Sequence, residues 1–242
     1  RERMLAAIAH VEVFEAHGGS LDDWRAVADA TLRHPRVKAA APFVVSQALI
    51  TRGDEMKGAL VRGIDPEAEA RVTPLAAQMK DEMARLRPGS FGVLVGAQLA
   101  RSLGVRAGDQ LTIVTPSGQM TPGGVMPRLK QVTVAGLFEV GHYQYDSTLV
   151  LMHLDDAARL FRSGGPQGVQ LRLDDQQAAR AVSADLQREL PPGLAVRDWT
   201  RTNAEWYDAV QLEKRMMAII LTLIVAVAAF NLVSTLVMTV TD

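Results

Sequence analysis

The sequence predicts an α+β fold followed by a long apolar helix, and three observations support this prediction. Two segments with strand–helix–strand character stand near the beginning and the end of residues 1–202. A stretch rich in glycine and in short β-like runs separates them. The chain then ends in the uncharged run MMAIILTLIVAVAAFNLVSTLVMTV, residues 216–240.

The first unit is a predicted strand, helix and strand. Apolar residues alternate with polar ones around Val11, which predicts a strand. Ser20 followed by Asp23 is typical of a helix start, and the amphipathic pattern that follows ends before Pro35. Residues 37–50 are rich in Val, Ala and Ile, and they predict the next strand.

The second unit and the stretch between the units contain further predicted elements. In the second unit we predict strands at 147–152, 169–173 and 194–196 and helices at 155–161 and 176–190. In the stretch between we predict strands at 59–62, 92–95, 111–115 and 131–140 and a helix at 97–103. We interpret residues 51–146 as a β-rich subdomain that interrupts a discontinuous subdomain formed by 1–50 and 147–202.

Residues 216–240 are long enough to cross a membrane. A helix that rises about 1.5 Å per residue needs about 20 residues to cross a hydrocarbon core. A buried helix of a soluble protein is the alternative, although such helices seldom stay uncharged for so long. Because Thr202 or Asn203 is a suitable cap, we expect one continuous helix with a stalk at 203–215 before the span. The chain begins at Arg1 rather than at methionine, so we also expect a fragment of a longer protein.

Composition and motifs exclude several classes of function. Lys and Arg number 26 against 27 Asp and Glu, without a basic block, which argues against a nucleic-acid partner. Without cysteine, the chain has neither a disulfide framework nor thiolate metal ligands. It lacks a phosphate-binding glycine loop, and its five histidines lack metal-ligand spacing. We therefore predict no catalytic residue, no metal site, no cofactor and no enzymatic activity in this chain.

Three acidic pairs are the remaining candidates for acid–base chemistry, namely Asp22-Asp23, Asp155-Asp156 and Asp174-Asp175. Each pair opens a predicted helix, where carboxylates interact favourably with the positive end of the helix dipole. We therefore interpret all three pairs as helix starts rather than as catalytic groups.

The loop at residues 115–130, TPSGQMTPGGVMPRLK, differs from an ordinary solvent loop. It lies between two predicted strands and carries three prolines, Pro116, Pro122 and Pro127, which cannot join a central ladder. We therefore predict a protruding hairpin arm. Its apolar residues are Met120, Val125 and Met126, and methionines adapt well to an apolar partner surface. The alternative is a mobile hairpin tip without a partner.

A likeness to a known family appears in residues 93–116, VLVGAQLARSLGVRAGDQLTIVTP. This run resembles the middle of the extracytoplasmic domain of MacB-type permeases. The spacing of five residues carries the likeness: Gly96, Leu99, Gly104, Gly108 and Asp109. The junction at 212–217, the segment IVAVAAFNLVSTLVM at 224–238 and Gly63-Ile64-Asp65-Pro66 resemble more narrowly the lipoprotein-releasing permeases LolC and LolE.

The resemblance implies a Porter subdomain, here 1–50 and 147–202, interrupted by a Sabre subdomain, here 51–146. It implies that the domain faces the periplasm from the bacterial inner membrane. Two permease subunits and two LolD-like ATPase subunits would extract lipoproteins from that membrane and pass them to the periplasmic chaperone LolA. ATP would bind to the partner subunit, and a rigid helix over 203–240 would transmit the resulting movement to the domain.

The resemblance also implies a role for the arm. LolC-type permeases recruit the chaperone through a protruding hairpin, the Hook, and residues 121–127 match its position. The implied chaperone-binding residues are Met120, Thr121, Pro122, Gly123, Gly124, Val125, Met126 and Pro127. Lys130 falls on a basic residue of an adjoining pad, whereas Thr112 replaces another basic residue there.

Other members of the superfamily remain open as interpretations. The end of the predicted span is more similar to LolE than to LolC, so a hybrid LolF permease acting as a homodimer is one possibility, and a heterodimer is the other. A MacB-like efflux permease or an FtsX-like mechanotransmitting permease would share the domain without the Hook. A membrane-anchored enzyme is the rival from another class, and the lack of a nucleophile–base pattern argues against it.

Overall fold

The computed structural model of the chain describes residues 10–121, 124–141 and 143–198, and single helical positions between 216 and 228. Side chains are described except at 75, 78 and 116–126. The chain divides into two units, Arg1–Trp199 and Thr200–Asp242.

The described part of the first unit contains nine strands and eight α-helices. The strands are β1 (Val11–Glu15), β2 (Val37–Arg52), β3 (Glu55–Ile64), β4 (Gly92–Gly96), β5 (Gln110–Thr121), β6 (Gly124–Phe138), β7 (Leu149–His153), β8 (Gly168–Leu173) and β9 (Leu194–Asp198). The helices are α1 (Trp24–Leu32), α2 (Pro66–Val72), α3 (Pro74–Gln78), α4 (Lys80–Met83), α5 (Ala97–Leu103), α6 (Tyr143–Thr148), α7 (Leu154–Phe161) and α8 (Ala179–Glu189). A 3₁₀ turn, Gln176–Ala178, precedes α8.

Six of the strands close into a barrel. β2 pairs with β3, β3 with β7, β7 with β4, β4 with β6, β6 with β5, and β5 returns to β2. The β3–β7 and β4–β6 pairs are parallel, and the other pairs in the ring are antiparallel. Closure removes the unpaired edges that an open sheet would present.

The barrel encloses the main apolar core. Along β4, Val93 and Val95 point inward, while Leu94 between them points outward, as the period of two in a strand requires. Every strand of the ring contributes to this core, for example Ile50, Val61, Ile113, Val134 and Met152. Helices α5 and α7 complete it with Leu99, Leu103, Leu154 and Leu160.

A second, open layer of sheet grows from the same strand β2. Residues Val37 to Phe43 of β2 pair with β8, and β8, β1 and β9 follow in antiparallel order. Helix α1 packs on β2 and β8, and α8 packs on β9. β2 is 16 residues long and belongs to both layers, so a single continuous strand joins the barrel to the open sheet.

Helices α2 to α4 cover part of the outside of the barrel. α2 begins at the segment Gly63-Ile64-Asp65-Pro66, where the Asp65 carboxylate accepts hydrogen bonds from the backbone N–H groups of Glu67 (3.0 Å) and Ala68 (3.2 Å). Pro66 occupies the first helical turn, where its missing N–H costs nothing. The helices bury a second apolar cluster formed by Ile64, Ala76, Met83, Leu86, Leu94, Phe138 and Leu151.

A mixed fold of sheet and helices was predicted and is confirmed, and most of the predicted elements are present. The predicted helix at 97–103 matches α5, and the strands at 92–95 and 169–173 match β4 and β8 within one residue. Two predictions are wrong: Ser147 and Thr148 end helix α6 instead of starting a strand, and Asp23 rather than Ser20 caps α1. Helices α2 to α4 were not predicted. These three helices are short, so periodicity is a weak signal for them.

The predicted division into 1–50 and 147–202 against 51–146 stays a prediction. The structure shows how the strands of these ranges are connected. β7, from the range 147–202, lies in the barrel between β3 and β4, and α7 contributes to the barrel core. β2 runs from the first range into the second.

In the described part of the chain, no helix is both long enough and apolar enough to cross a membrane. Of the predicted span at 216–240, only residues 216, 217, 220–222, 224, 225 and 228 are described, all helical. The predicted stalk at 203–215 lies outside the described residues.

The close approach of α7 to β3 at Gly63 gives a first testable prediction. A Cβ at Gly63 would lie 2.3 Å from the Cβ of Ala157. We expect Gly63→Ala to lower the free energy of unfolding by about 1–3 kcal/mol, because the fully buried Ala157 leaves no room for an added methyl group. Chemical denaturation followed by circular dichroism measures this change.

Gly58→Ala is the matched control, since Gly58 lies in the same strand and a Cβ there would meet no atom within 4 Å. Equal stability of the two variants would contradict the packing described for Gly63.

Candidate partner-binding site

A two-stranded arm extends from the barrel where β5 and β6 continue beyond their other partners. β2 pairs with β5 only as far as Val114, and β4 pairs with β6 only from Thr133 onward. β5 and β6 still pair with each other as far as Thr121 and Gly124. From Thr115 to Thr121 the arm reaches roughly 20 Å at the usual rise of a strand.

Proline explains why the arm leaves the barrel. The register Leu49–Val114 places position 116 opposite Gln47 of β2. Residue 116 is proline and has no N–H, so the β2–β5 ladder ends there. The register of the arm also shifts between Thr115 and Gln119, in the segment that faces Pro127.

An apolar groove of ≈ 660 Å³ lies at the base of the arm. It is lined by Gln47, Ala48, Leu49, Gly58, Ala59, Leu60, Val114, Thr115, Pro127 and Thr148. Leu49 is 42% exposed, and Leu129, which pairs with the groove residue Val114, is 67% exposed. An exposed apolar surface of this kind is typical of a binding site.

Lys130 lies beside the arm, and its side chain contacts an aromatic ring. Its Nζ atom is 3.8 Å from the centroid of the Phe91 ring, a cation–π contact. Phe91 has φ = 49°, a left-handed conformation that few residues other than glycine adopt. The buried Asp156 carboxylate holds this loop by accepting hydrogen bonds from the N–H groups of Phe91 (2.9 Å) and Gly89 (2.7 Å).

A buried polar cluster joins α2 to the open sheet. The Glu69 carboxylate accepts hydrogen bonds from the Thr73 hydroxyl (3.1 Å) and from the Gln170 amide. Burial raises the pKa of Glu69, although Arg62 nearby opposes this change. The Arg62 guanidinium donates to Gln170 Oε1 (2.6 Å) and to Glu12 Oε1 (3.3 Å).

The pKa of Glu12 is shifted in the opposite direction. Burial opposes its ionisation, but Arg62 and Arg197 outweigh burial and hold the pKa of Glu12 below its ordinary value. Arg197 donates to Glu12 Oε2 at 2.8 Å. Because Glu69 and Gln170 are buried, this cluster serves the packing of α2 rather than ligand binding.

The described residues contain no group of three His, Asp or Glu side chains that could hold a metal ion. Three of the histidines accept backbone hydrogen bonds instead. His10 accepts from Leu173, His34 from Arg36, and His153 from Asp155 at the start of α7.

A model of the MacB-like periplasmic core domain matches residues 2–189 of the chain. The chain belongs to this family. The resemblance found in the sequence motifs is therefore confirmed, and the family description places such domains in the periplasm.

The chain is similar over its whole length to two proteins named "lipoprotein-releasing system transmembrane protein LolC". Identity is 41% with the protein of Xylella fastidiosa (strain Temecula1) and 43% with that of Neisseria meningitidis serogroup B. The chain spans 58% and 59% of the length of these relatives.

Among solved structures, the periplasmic region of MacB from Actinobacillus actinomycetemcomitans is 9% identical to this chain. Its TM-score is 0.47, over 88% of this chain and 96% of that one.

In this MacB-like domain, the predicted site residues fall on the arm and its base. Met120 and Thr121 end β5, and the range 124–127 begins β6, with Met120 paired to Val125. Pro122 and Gly123 lie outside the described residues, and the side chains of 116–126 are not described. Pro127 lines the groove. Lys130, three residues further along β6, points to the opposite face of the hairpin from Pro127.

Sequence reasoning missed the groove and the support of Lys130. Leu49, Leu60 and Val114 come together only because β2, β3 and β5 are neighbours in the barrel. The one available signal was that Leu49 is apolar although it lies on the same face of its strand as the polar residues Gln47 and Thr51. Asp156 was interpreted as part of a helix start, yet its carboxylate anchors the Phe91 loop.

The anchoring role of Asp156 can be tested by substitution. We expect Asp156→Asn to lower the free energy of unfolding by about 1.5–3 kcal/mol, because one of the two loop N–H groups that donate to this carboxylate would then face an amide N–H. Thermal and urea denaturation measure the loss. Asp155→Asn is the control, since Asp155 is an exposed neighbour in the same helix turn. Equal losses in both variants would show that Asp156 does not act through the loop.

Glu69 should make the stability of the domain depend on pH. Folding raises its pKa above the ordinary 4.5, so its contribution to stability is fully present below pH 4.5 and is lost as the pH rises through the folded value. We therefore expect the stability of the wild type relative to Glu69→Gln to fall as the pH rises above 4.5. Denaturation across a pH series measures the slope.

Glu12→Gln provides the opposite case for this series. The pKa of Glu12 is lowered on folding, so its contribution is present above pH 4.5 and is lost as the pH falls. Slopes of the same sign for both variants would contradict the assignment.

Proposed function

We propose that this chain is the periplasmic domain of a lipoprotein-releasing ABC permease and that its arm recruits the chaperone LolA. The observation that carries the proposal is the β5–β6 hairpin, which beyond Val114 has no further strand partner among the described residues. The likeness to two proteins named LolC supports the choice of system.

The backbone of the arm suits it to docking. Two paired strands hold each other in position, so the arm extends from the barrel with less loss of conformational freedom on binding than an irregular loop. The sequence supplies the arm with Met120, Val125 and Met126, and its base borders an apolar groove. Such an arm suits a partner that presents an apolar surface.

The remaining partners belong to the same proposal. A LolD-like ATPase subunit would bind ATP, so this chain would need no cofactor and would catalyse no reaction itself. A second permease subunit, identical or different, would complete the complex in the inner membrane. The helix predicted over 203–240 would transmit movement from the ATPase subunit, and this part of the proposal is supported by sequence alone.

The test replaces the arm tip and measures chaperone binding. Residues 121–127 are exchanged for a short Gly-Ser turn, and binding of purified LolA to the immobilised chain is followed by biolayer interferometry. We expect binding to weaken by about tenfold or more, a loss of at least 1.4 kcal/mol, because the apolar contacts of the arm are removed.

The control is Asp54→Ser, in the exposed turn between β2 and β3. It should bind LolA as the wild type does. If the wild type and the arm variant bind equally, or if neither binds, the chaperone proposal is wrong. The domain would then fit the MacB-like or FtsX-like alternative, in which no chaperone is recruited.

A further inference from the structure

A second cavity, of ≈ 870 Å³, lies where helices α2 to α4 cover the barrel. Small side chains leave room for it: Ala70 in α2, Ala77 in α3 and Ala84 directly after α4. The buried side chains of Met83 and Leu86, from the second apolar cluster, form its floor. None of its described lining residues belongs to the groove at the base of the arm. Its volume is that of a site for a small molecule.

Three cationic side chains also line this cavity, namely Arg71, Lys80 and Arg87. All three residues are exposed, and none of them forms an ion pair with a described residue. An anion that enters the cavity would therefore meet donors that have no carboxylate partner to give up. Hydrogen bonds between a cation and an anion are stronger than those between neutral groups.

Two carboxylates line the cavity as well, but they do not neutralise the cations. The Asp65 carboxylate already accepts hydrogen bonds from the backbone N–H groups of Glu67 and Ala68. The exposed Glu67 carboxylate forms no ion pair within the described part of the chain. Three cations against two carboxylates leave the lining with a net positive charge.

His153 adds a further donor to the lining. Its Nδ1 atom accepts a hydrogen bond from the Asp155 N–H (3.2 Å) at the start of α7. In a neutral imidazole the proton then lies on the other nitrogen, so Nε2 is left to donate to a ligand.

We propose that this cavity binds an anionic amphiphile, a molecule with one phosphate or carboxylate group and a short aliphatic chain. The cations and His153 recognise the anionic group, and the alanine walls and Met83 contact the chain. A free inorganic anion would leave the apolar part of the cavity unfilled, and a neutral aliphatic molecule would leave the cations unused. The inference does not depend on the proposed function.

Methionine methyl groups can report binding at the cavity itself. The full chain carries ¹³C-methyl methionine, lies in phosphatidylcholine nanodiscs and is titrated with hexyl phosphate in an NMR experiment. The Met83 signal should shift and saturate, because the aliphatic chain contacts the floor. The Met56 signal should stay unchanged, since Met56 is an exposed residue of β3 outside the cavity. Titration without a shift at Met83 would overturn the proposal.

Two further probes each carry one half of the proposed ligand. Inorganic phosphate has the anionic group alone, and hexanol has the aliphatic chain alone. Each should bind about tenfold more weakly than hexyl phosphate or worse. If either half binds as tightly as hexyl phosphate, the ligand is not an amphiphile and the proposal is wrong.

A matched pair of arginine variants tests the charge. Arg87 lines the cavity, whereas Arg106 is an exposed arginine that does not. Arg87→Gln should weaken hexyl phosphate binding by about tenfold, and Arg106→Gln should change it by less than about twofold. Equal effects of the two substitutions would place the anion elsewhere and contradict the inference.

Filling the cavity provides a test that is independent of charge. Ala77 lines the cavity and is exposed, so Ala77→Phe should occupy the space without disturbing the apolar core. We expect this variant to bind hexyl phosphate at least tenfold more weakly while it unfolds thermally as the wild type does. Binding equal to that of the wild type would show that the ligand does not lie in this cavity.

An anionic amphiphile could come from the bilayer or from solution, and the Met83 signal distinguishes these sources. A shift on replacing phosphatidylcholine by phosphatidylglycerol, without added probe, would assign the ligand to the bilayer. A shift with hexyl phosphate alone would assign it to a free amphiphile. Either result supports the site, and the absence of both overturns it.

Discussion

The length of β2 is the constraint on which the rest of the structure depends. Ten of its 16 residues, 43–52, form a ladder with β3 along one edge. Along the other edge β2 pairs first with β8 and then with β5. Backbone polar groups inside a protein need partners, so two layers that share one strand are held in a fixed register with respect to each other. The barrel, the open sheet and the base of the arm all take their positions from this strand.

The point at which β2 changes partner is also where the candidate site lies. A proline at position 116 ends the ladder with β5, and that interruption lets β5 and β6 continue as an arm. The groove at this point is therefore a product of the fold, since its lining residues come from β2, β3, β5 and β6. Lys130 is held instead by a cation–π contact with the Phe91 ring. The buried carboxylate of Asp156 keeps that ring in place by accepting a hydrogen bond from the Phe91 N–H.

The sequence predicted those features that depend on local patterns. The continuous apolar run of β4 and the apolar stripe of α5 located these elements within one residue, because β4 is buried on both faces and α5 is buried on one. The prolines predicted the arm because a residue without a backbone N–H cannot join a central ladder. Barrel closure could not be predicted, because it depends on pairing between residues of β3 and β7 that are 89 positions apart. A single sequence carries no signal for such pairs. Helices α2 to α4 were not predicted because they are short, although the sequence Asp65-Pro66 is typical of a helix start.

The prolines of the arm have a second consequence, which concerns self-association. A hairpin that stands away from its sheet offers two free edges to any other strand in solution, and such edges are starting points for aggregation. Pro116 and Pro127 each remove a backbone donor from these edges near the base of the arm. The same residues that release the arm from the barrel thus make it a poor template for a second copy of itself. This protection would let a cell keep an exposed strand pair available to a selected partner while discouraging sheet growth between neighbouring molecules.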